Sequence, residues 1–427
     1  MPLAGHVLTC RASCQPHGEL TLTGIDLDRA PRQSDSIEAG RREVLERPHV
    51  EVLRRAELMS CGFWKTAFAR HRKDRRFYEL VEDTIHQGFD YLYYAVVDKS
   101  GEVLAVQPFL IVDQDLLAGL AERIAKLAGL VRRVWPRFLR LSTLMVGCAV
   151  GEGHLDGLDE PTNHAIAIAL AAAIPAHARR LGASLIVLKE FPAEYRTALR
   201  CFVQKGFARI PSMPMVSRSI DYLNFDEYAA RSLSSKMRNQ LRRKFEDAAK
   251  AGPIQMTLVE DITPFVDDIY PLYLQVYERS TLHFEKLTKE FFCQLGRAMP
   301  EKTRFFLWRK DSRIVAFNLC LVQDDAICSE YIGLDYALAL DLHLYFVVVR
   351  DLMSWAMANG YRSFHSSGLN YDPKYRLRFE LSPLDLYVRH TSRIANVVLA
   401  RVLPLLGPTR YDPNLKRFAN FPELNGS

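Results

Sequence analysis

The chain has 427 residues, of which 48% are hydrophobic and 25% charged, a composition typical of globular proteins and not of disordered chains. At roughly 150 residues per domain, this length predicts two or three domains. The net charge of +6 is mildly basic. Such a charge suits anionic ligands such as phosphorylated cofactors and does not predict specific DNA binding.

Three absences narrow the class of protein further. Met1–Thr9 lacks the basic start and the apolar run of a secretory signal. No run of about 18 apolar residues would span a membrane. The eight cysteines are scattered without a CxxC pair, which is typical of reduced thiols and not of a zinc site. We therefore expect a cytoplasmic protein without a metal, with peripheral contact to the inner membrane face as a further possibility.

The first half of the chain begins with an irregular stretch and a hairpin. Residues 1–44 are rich in Ser, Gly, Pro and charge, and are expected to form a tail or a loosely attached arm. Tyr93–Val97 and Glu102–Gln107 are strand patterns around a turn, Asp98–Gly101, and predict a hairpin.

A basic insertion follows at 116–140. It carries six Lys or Arg residues against one Glu, and its apolar residues recur at helical spacing. Such a segment either packs over its own domain or lies on an anionic membrane surface.

The remaining pattern of the first half occurs again later in the chain. After the insertion come a helix, a strand and a helix: Ala165–Leu181, Ser184–Leu188 and Ala198–Lys205. The later copy has a hairpin, a helix, a strand and a helix: Phe305–Phe317, Leu344–Ala358, Tyr361–His365 and Asp372–Arg378. Each long helix stops at a glycine, Gly182 or Gly360. The repeat predicts an α/β chain with two mixed sheets whose faces are covered by helices.

The linker between the copies is expected near 221–235. It divides the chain into a first domain, 45–222, and a second domain, 223–427. The second domain opens with a basic helix, 233–250, which Gly252-Pro253 terminates.

This basic helix has two kinds of face. Met237, Leu241 and Phe245 form an apolar stripe, whereas Arg238 and Arg242 are four residues apart and share another side. The stripe predicts docking on the protein. The cations are either solvated or offered to a cofactor phosphate, a lipid headgroup or RNA.

Two segments carry a family resemblance. Ala198–Phe207 resembles the late helix and Gly-Phe turn of the GNAT acetyltransferases, and Tyr375–Phe379 resembles a degenerate second copy. Two such units with a basic helix between them resemble the FemAB-like enzymes, within them the peptidoglycan-biosynthesis or recognition acetyltransferases. The resemblance covers residues 45–420 and is carried most clearly by the segments 233–244, 331–336, 369–374 and 384–390.

The resemblance implies two tandem GNAT-like domains of the acyl-CoA N-acyltransferase fold. The implied reaction moves an acyl or aminoacyl group from a thioester or tRNA donor to an amine, with a cell-envelope or peptidoglycan-type precursor as one candidate acceptor. The donor would be acyl-CoA by analogy of fold, or an acyl carrier protein or aminoacyl-tRNA.

The phosphate-binding turn of this family is altered here. The turn usually reads Q/R-x-x-G-x-G/A after the fourth strand, but the stretch from Gly333 to Leu344 contains no further glycine. Val150–Gly157 is glycine-rich at another spacing and is the alternative phosphate cradle. If the donor site is lost, the chain is instead a non-catalytic module that recognises a precursor or polysaccharide.

The candidate chemistry lies in the second copy. Acyl transfer to an amine needs a base and an acid for the leaving group. Glu330 and Asp335 on or beside the strand Ile327–Leu334 are candidate bases, and Tyr371 is a candidate proton donor. The candidate substrate- or donor-binding residues are Tyr336, Asn370, Lys374, Arg238 and Arg242. The simpler alternative is that the carboxylates are solvated at a strand edge and that Tyr371 packs its ring on the surface.

Overall fold

The structure, a computed structural model, describes residues 48–115, 140–280 and 284–426. The predicted arm, 1–44, lies outside the described residues, and so does the predicted basic insertion except for its last residue.

The described chain alternates strands with helices in two successive sets. The strands are β1 His49–Leu53, β2 Phe89–Val97, β3 Val103–Asp115, β4 Arg140–Val146, β5 Leu185–Pro192, β6 Ala208–Pro211, β7 Met215–Ser219, β8 Gln255–Val259, β9 Thr303–Lys310, β10 Arg313–Gln323, β11 Ala326–Leu334, β12 Ser363–Ser366, β13 Glu380–Ser382 and β14 Leu384–His390. The α-helices are α1 Arg55–Leu58, α2 Arg75–Thr84, α3 Glu160–Arg180, α4 Arg196–Gln204, α5 Phe225–Ser232, α6 Ser235–Lys250, α7 Val266–Arg279, α8 Lys289–Ala298, α9 Leu344–Ala358, α10 Tyr371–Arg376 and α11 Arg393–Leu406.

These strands form two seven-stranded sheets of the same design. The first sheet has the order β1-β2-β3-β4-β5-β14-β6, and the second, read from the equivalent edge, has the order β8-β9-β10-β11-β12-β7-β13. In each sheet the first four strands pair antiparallel, and the fourth and fifth strands pair parallel. The sixth strand pairs antiparallel with both the fifth and the seventh. The predicted duplication of a mixed α/β fold is confirmed.

The two copies exchange one strand. β14 comes from the end of the chain but lies between β5 and β6 of the first sheet, whereas β7 from the first half lies between β12 and β13 of the second sheet. Neither sheet is therefore complete without the other half of the chain. The domain boundary at 222/223 stays a prediction, and the sheets do not divide at it.

Each sheet opens where its parallel pair separates. In the first sheet Thr143–Val146 pairs with Leu185–Leu188, and in the second sheet Ala326–Ser329 pairs with Ser363–Ser366. Beyond Ser329, β11 continues to Leu334 without pairing to β12. Main-chain groups and side chains at such an opening are accessible to a ligand.

Three hydrophobic cores hold the layers together. One is shared by both halves: it joins the facing sides of the two sheets through α2, α7 and α8, and includes Phe77 and Phe291, whose rings meet edge to face. A second core lies between the second sheet and α5, α6 and α9, and a third lies between the first sheet and α3 and α4. The shared core fixes one sheet against the other.

Most predicted elements of the repeat are confirmed. Leu344–Ala358 has the predicted bounds, and both hairpins are present. The predicted linker near 221–235 contains the helix α5, which Asn224 caps by accepting a hydrogen bond from the Glu227 amide. Phe225 and Tyr228 anchor that helix in the second core, and the division of the chain at this segment stays a prediction. Within the described chain, every helix is too short or too polar to cross a membrane.

Candidate active site

The start of α9 is a candidate anion-binding feature of the second sheet. The helix follows β11 after the short loop 335–343, and His343 precedes its first turn in a left-handed conformation with φ 47°. The His343 side chain makes no capping hydrogen bond. The amides of Leu344, Phe346 and Val347 donate to main-chain carbonyls, so that the attraction of this helix start for an anion rests on the positive end of the helix dipole.

A cation stands beside this helix start. The helix α6 is anchored by Met237 and Leu241 in the second core, and this places Lys244 with its Nζ 3.4 Å from His343 Nδ1. The same Nζ lies 5.0 Å from the centre of the Phe346 ring in the first turn of α9. Burial, and then the nearby Lys244, lower the pKa of His343. A lysine and a helix N-terminus together favour a phosphate or carboxylate.

The equivalent helix start in the first half is closed and acidic. The Asp159 side chain accepts a hydrogen bond from the Thr162 amide at 2.9 Å and so caps α3. The preceding loop and first helical residue, 147–160, contain four carboxylates and no Lys or Arg: Glu152, Asp156, Asp159 and Glu160. A bound phosphate would meet like charges here.

The glycines of this first-half loop are closely packed, and most of their amides bond to other parts of the chain. The Gly153 amide donates to Glu190 O at 3.2 Å, and a Cβ on Gly153 would lie 2.7 Å from the Phe191 ring. The Gly157 amide donates to Asn163 Oδ1 at 3.0 Å. The geometry does not favour the alternative of a phosphate cradle at Val150–Gly157, because the loop is filled by its own chain.

Four charged side chains join the two halves at the opening of the second sheet. We call Arg72, Lys73, Glu152 and Glu330 the interface cluster. Arg72 and Lys73 each contact both carboxylates: Lys73 Nζ lies 2.8 Å from Glu152 and 3.1 Å from Glu330, and Arg72 Nε lies 2.8 Å from Glu330. Arg72 also pairs with Glu152. The side chain of Lys73 is 1% exposed.

The interface cluster is ionised throughout. Burial opposes every charge in it, but Arg72 and Lys73 outweigh burial and hold the pKa of Glu152 well below its usual value. The same cations lower the pKa of Glu330. The two carboxylates in turn raise the pKa of Lys73. Charges paired in this way fix the positions of the side chains, and the paired carboxylates are poor proton acceptors.

A second polar group lies nearby and contains a different kind of carboxyl. Glu285 Oε1 accepts a hydrogen bond from Tyr331 Oη at 3.0 Å, and Tyr331 lies on the part of β11 that no longer pairs with β12. Burial raises the pKa of Glu285, with Lys189 opposing that shift and Glu190 adding to it. A carboxyl with a raised pKa, partly exposed at an opening, exchanges its proton at a higher pH than an ordinary glutamate does.

The comparison with protein families agrees with this architecture. The sequence pattern of the family described as Acetyltransferase (GNAT) domain matches residues 235–375, which run from α6 into α10. The first sheet repeats the strand order of the second, so that the fold occurs in tandem. The chain carries a GNAT acetyltransferase domain, in a fold that occurs twice.

Solved structures similar to this chain include FemX, at 14% identity over 78% of this chain and 96% of that one, with a TM-score of 0.48. The C-terminal domain of a putative lysylphosphatidylglycerol synthetase from Agrobacterium fabrum matches at 12% identity over 80% of this chain and 94% of that one, with a TM-score of 0.45. A tandem GNAT protein from the clavulanic acid pathway matches at 9% identity over 81% and 99%, with a TM-score of 0.45. No curated protein matches the sequence.

The predicted base Asp335 and its neighbour Tyr336 follow the end of β11. Asp335 is 2% exposed and pairs with Arg313 at 2.6 Å. Tyr336 donates its amide to Gln275, and the Arg279 guanidinium lies 4.0 Å from the centre of its ring. Both residues are thus held by neighbours at the mouth of the opening, and their predicted roles stay predictions.

The predicted residues after β12 form a compact turn. Tyr371 is 2% exposed and donates to Pro214 O at 2.7 Å, which favours a packing role over proton donation. Asn370 is exposed and precedes α10 in a left-handed conformation. Lys374 is 5% exposed and its Nζ donates to the carbonyls of Ser367 and Leu369 at 2.5 and 2.9 Å. Burial lowers the pKa of Lys374 to about 7.

The two predicted arginines of α6 differ in their surroundings. Arg238 donates to Leu233 O at 2.8 Å and to Ser235 Oγ at 3.1 Å, and so ties the start of its own helix. Arg242 is exposed, with Glu246 at 3.8 Å as a partner. Of the two, Arg242 is the one available to a ligand.

Some residues of this site were missed by the sequence patterns. Glu285 lies in a loop and Arg72 and Lys73 lie in another, without any motif that marks them. Lys244 belongs to the predicted basic helix, but its sequence does not show which cation reaches α9. Among the described residues there is no group of three His, Cys, Asp or Glu side chains arranged for a metal ion.

Proposed function

We propose that the chain transfers an acyl group from a phosphate-bearing activated donor, of the acyl-CoA type that the GNAT fold generally uses, to an amine at the opening of the second sheet. The observation that supports this is Lys244 beside the start of α9. A donor bound there would supply the activated acyl carbon. Lys244 and the positive end of the helix dipole would hold its phosphates.

The residues of the chain supply the rest of the chemistry. A primary amine is an ammonium ion at neutral pH and cannot attack until it loses a proton. Glu285, with its raised pKa, accepts that proton, and the amine nitrogen then bonds to the acyl carbon as the bond to the leaving group breaks. The leaving group takes the second proton of that nitrogen as it departs. Tyr331 orients the Glu285 carboxyl through their hydrogen bond. Glu190 adds negative charge that attracts a cationic acceptor.

The two parts of this site flank one opening. β11 carries Tyr331 on its unpaired segment, and α9 follows from the end of the same strand. A single strand therefore leads to both parts of the site: the residues that bind the donor and the base that deprotonates the acceptor amine. The predicted roles of Glu330 and Asp335 as bases remain alternatives, and both carboxylates are paired with cations.

The donor is tested by thermal-shift titration of the full chain with acetyl-CoA, an acyl carrier protein and an aminoacyl-tRNA. We expect a phosphate-bearing donor to raise the melting temperature, since a ligand that binds only the native state stabilises it. Lys244→Ala should weaken donor affinity by about 10-fold or more, as expected for a charge-assisted hydrogen bond.

Lys236→Ala is the matched control, because Lys236 is an exposed lysine on the same helix with no contact to α9 among the described residues. It should leave donor affinity unchanged. Equal losses in the two variants would contradict a specific site at α9. If the chain binds a cell-envelope precursor tightly without turnover of any donor, the alternative of a recognition module is correct instead.

A further inference from the structure

The helix α11, Arg393–Leu406, is attached to the first sheet by one face only. Leu399 and Leu403 pack against the shared core. Asn396 ties the same face down, since its Nδ2 donates to Gly206 O at 2.8 Å and its Oδ1 accepts from the His390 amide at 2.9 Å. These three residues are spaced at three and four positions and lie on one side of the helix.

The opposite face carries a continuous apolar stripe that nothing in the described chain covers. Its members, which are 41% to 82% exposed and recur at intervals of one, three or four residues, are Ile394, Val397, Val398, Val402 and Leu405. They are five of the fourteen large hydrophobic residues that the described chain exposes. Scattered apolar residues are ordinary on a protein surface, whereas a continuous stripe marks an interaction surface.

The segment that carries this stripe is basic. From Leu386 to Tyr411 the sequence has four arginines, Arg389, Arg393, Arg401 and Arg410, and no Asp or Glu. Arg179 at the end of α3 adds a further cation. Burial, and then the charges of Arg179 and Arg393, lower the pKa of Arg389. Cations that repel one another are stabilised when an anion approaches them.

We infer that the outer face of α11 binds the surface of an anionic lipid bilayer. The apolar stripe enters the boundary between headgroups and acyl chains, and the flanking arginines contact lipid phosphates. At 14 residues the helix is about 21 Å long, which suits a helix lying in the interface plane and not one that spans it. Tyr411, 65% exposed, extends the surface with a ring of the kind found at membrane interfaces.

Charge favours lipid over a second copy of the chain. In a symmetric dimer the same patch meets itself, so that the arginines of one copy, Arg401 among them, would lie close to those of the other copy. No acidic residue between Leu386 and Tyr411 would neutralise that contact. A bilayer containing phosphatidylglycerol supplies both the apolar layer and the anions.

The test is co-sedimentation of the full chain with vesicles of phosphatidylcholine alone or mixed with phosphatidylglycerol. We expect binding to the mixed vesicles only. The double variant Ile394→Glu with Val398→Glu should reduce the partition coefficient at least 10-fold. The double variant Arg393→Gln with Arg401→Gln should reduce it about fivefold per arginine, with a weaker dependence on salt.

The matched control is Leu223→Glu with Leu340→Glu, because these leucines are 85% and 81% exposed and belong to other segments of the chain. It introduces the same charge and should bind as the wild type does. Melting temperatures check that every variant is folded. Equal binding of the α11 variant and the wild type, or equal losses in variant and control, would overturn the inference. If light scattering shows a dimer that the α11 variant abolishes while vesicle binding is retained, the surface serves a second copy.

Discussion

The two halves present the same helix start with different side chains beside it. In the first half Asp159 caps α3 with its own side chain, and Glu160 follows it. In the second half the His343 side chain makes no capping hydrogen bond, and Lys244 lies beside the start of α9. Both helix dipoles attract anions, but a carboxylate occupies the first start whereas a lysine stands at the second. The duplicated fold therefore offers two openings, and the second is the one that we propose for a phosphate.

The first-half loop has a different use. Its Glu152 pairs with Arg72 and Lys73 and reaches across to Glu330 of the second sheet through those cations. The loop thus becomes part of the contact between the halves. After duplication, one copy supplies a donor opening and the other copy supplies the polar framework that holds it.

Two buried lysines extend the comparison. Lys189 follows the parallel pairing of the first sheet, and Glu190 and Glu285 outweigh burial and raise its pKa. Lys374 follows the equivalent strand of the second sheet, is surrounded by carbonyl oxygens, and has its pKa lowered to about 7 by burial. A lysine with carboxylate partners keeps its charge, whereas one without them approaches neutrality.

The largest expected effect concerns Glu285. Replacing it by Gln should lower kcat/KM by about 100- to 10,000-fold, the usual contribution of a general base. Because burial raises the pKa of Glu285 above its ordinary 4.5, the wild-type rate should rise with pH through that raised pKa. The variant should lose this acid limb, measured as a pH–rate profile with a saturating donor.

Glu190→Gln is the matched control from the first half, since Glu190 is a carboxylate of the same polar group. It should keep the acid limb and change mainly KM for a cationic acceptor. An unchanged rate for Glu285→Gln would show that the base lies elsewhere, with Glu330 and Asp335 as the next residues to test.

The next largest effect concerns the interface cluster. Glu152→Gln should reduce the free energy of unfolding by about 3–5 kcal/mol, because it leaves buried cations without one of their partners. Chemical denaturation measures this change. Asp267→Asn, which breaks an exposed pair with Lys289, is the control and should leave the denaturation midpoint where it is.

The same cluster sets the acid stability of the chain. The folded-state pKa of Glu152 is depressed, so its stabilising contribution is present above the unfolded value near 4.5 and is lost as pH falls below it. In the Glu152→Gln variant that part of the acid dependence should be absent. Parallel acid curves for variant and wild type would contradict the ionised state of the cluster.

Lys374 should give a pH dependence of the opposite kind. Its pKa is about 7 in the folded chain and 10.5 when unfolded, so the unfolded chain binds more protons between these values. Stability should therefore fall as pH decreases from about 10 to 7, on the order of a few kcal/mol in total. Lys374→Met should flatten this window, as measured by denaturation at pH 7 and pH 10. Lys189→Met, whose parent lysine keeps its charge, should not flatten it.

Part of this structure could be predicted from the sequence, and the distance over which a local sequence pattern acts sets the limit. Hairpins and the helix Leu344–Ala358 follow from local periodicity and glycine stops, because those signals act within a few turns of chain. The exchange of β7 and β14 depends on pairings between distant residues, which no local pattern encodes. The prediction of the candidate site is limited for the same reason. Glu330 could be found from its strand, but its partners Arg72 and Lys73 lie more than 250 positions away in the sequence. The partners decide whether that carboxylate is a base or one half of an ion pair.

The smallest expected effect separates packing from binding in the first-half loop. Gly153→Ala places a methyl group 2.7 Å from the Phe191 ring and 2.8 Å from Lys189 O, and should cost about 1–3 kcal/mol of stability. Gly62→Ala is the control, because a Cβ there meets nothing within 4 Å. Since the first-half opening is filled by its own chain, Gly153→Ala should change the melting temperature without changing donor affinity. If the loop were a phosphate cradle, Gly153→Ala would lower both the melting temperature and the donor affinity, because it would displace the amides that hold the phosphate. That result would assign the donor site to the first half.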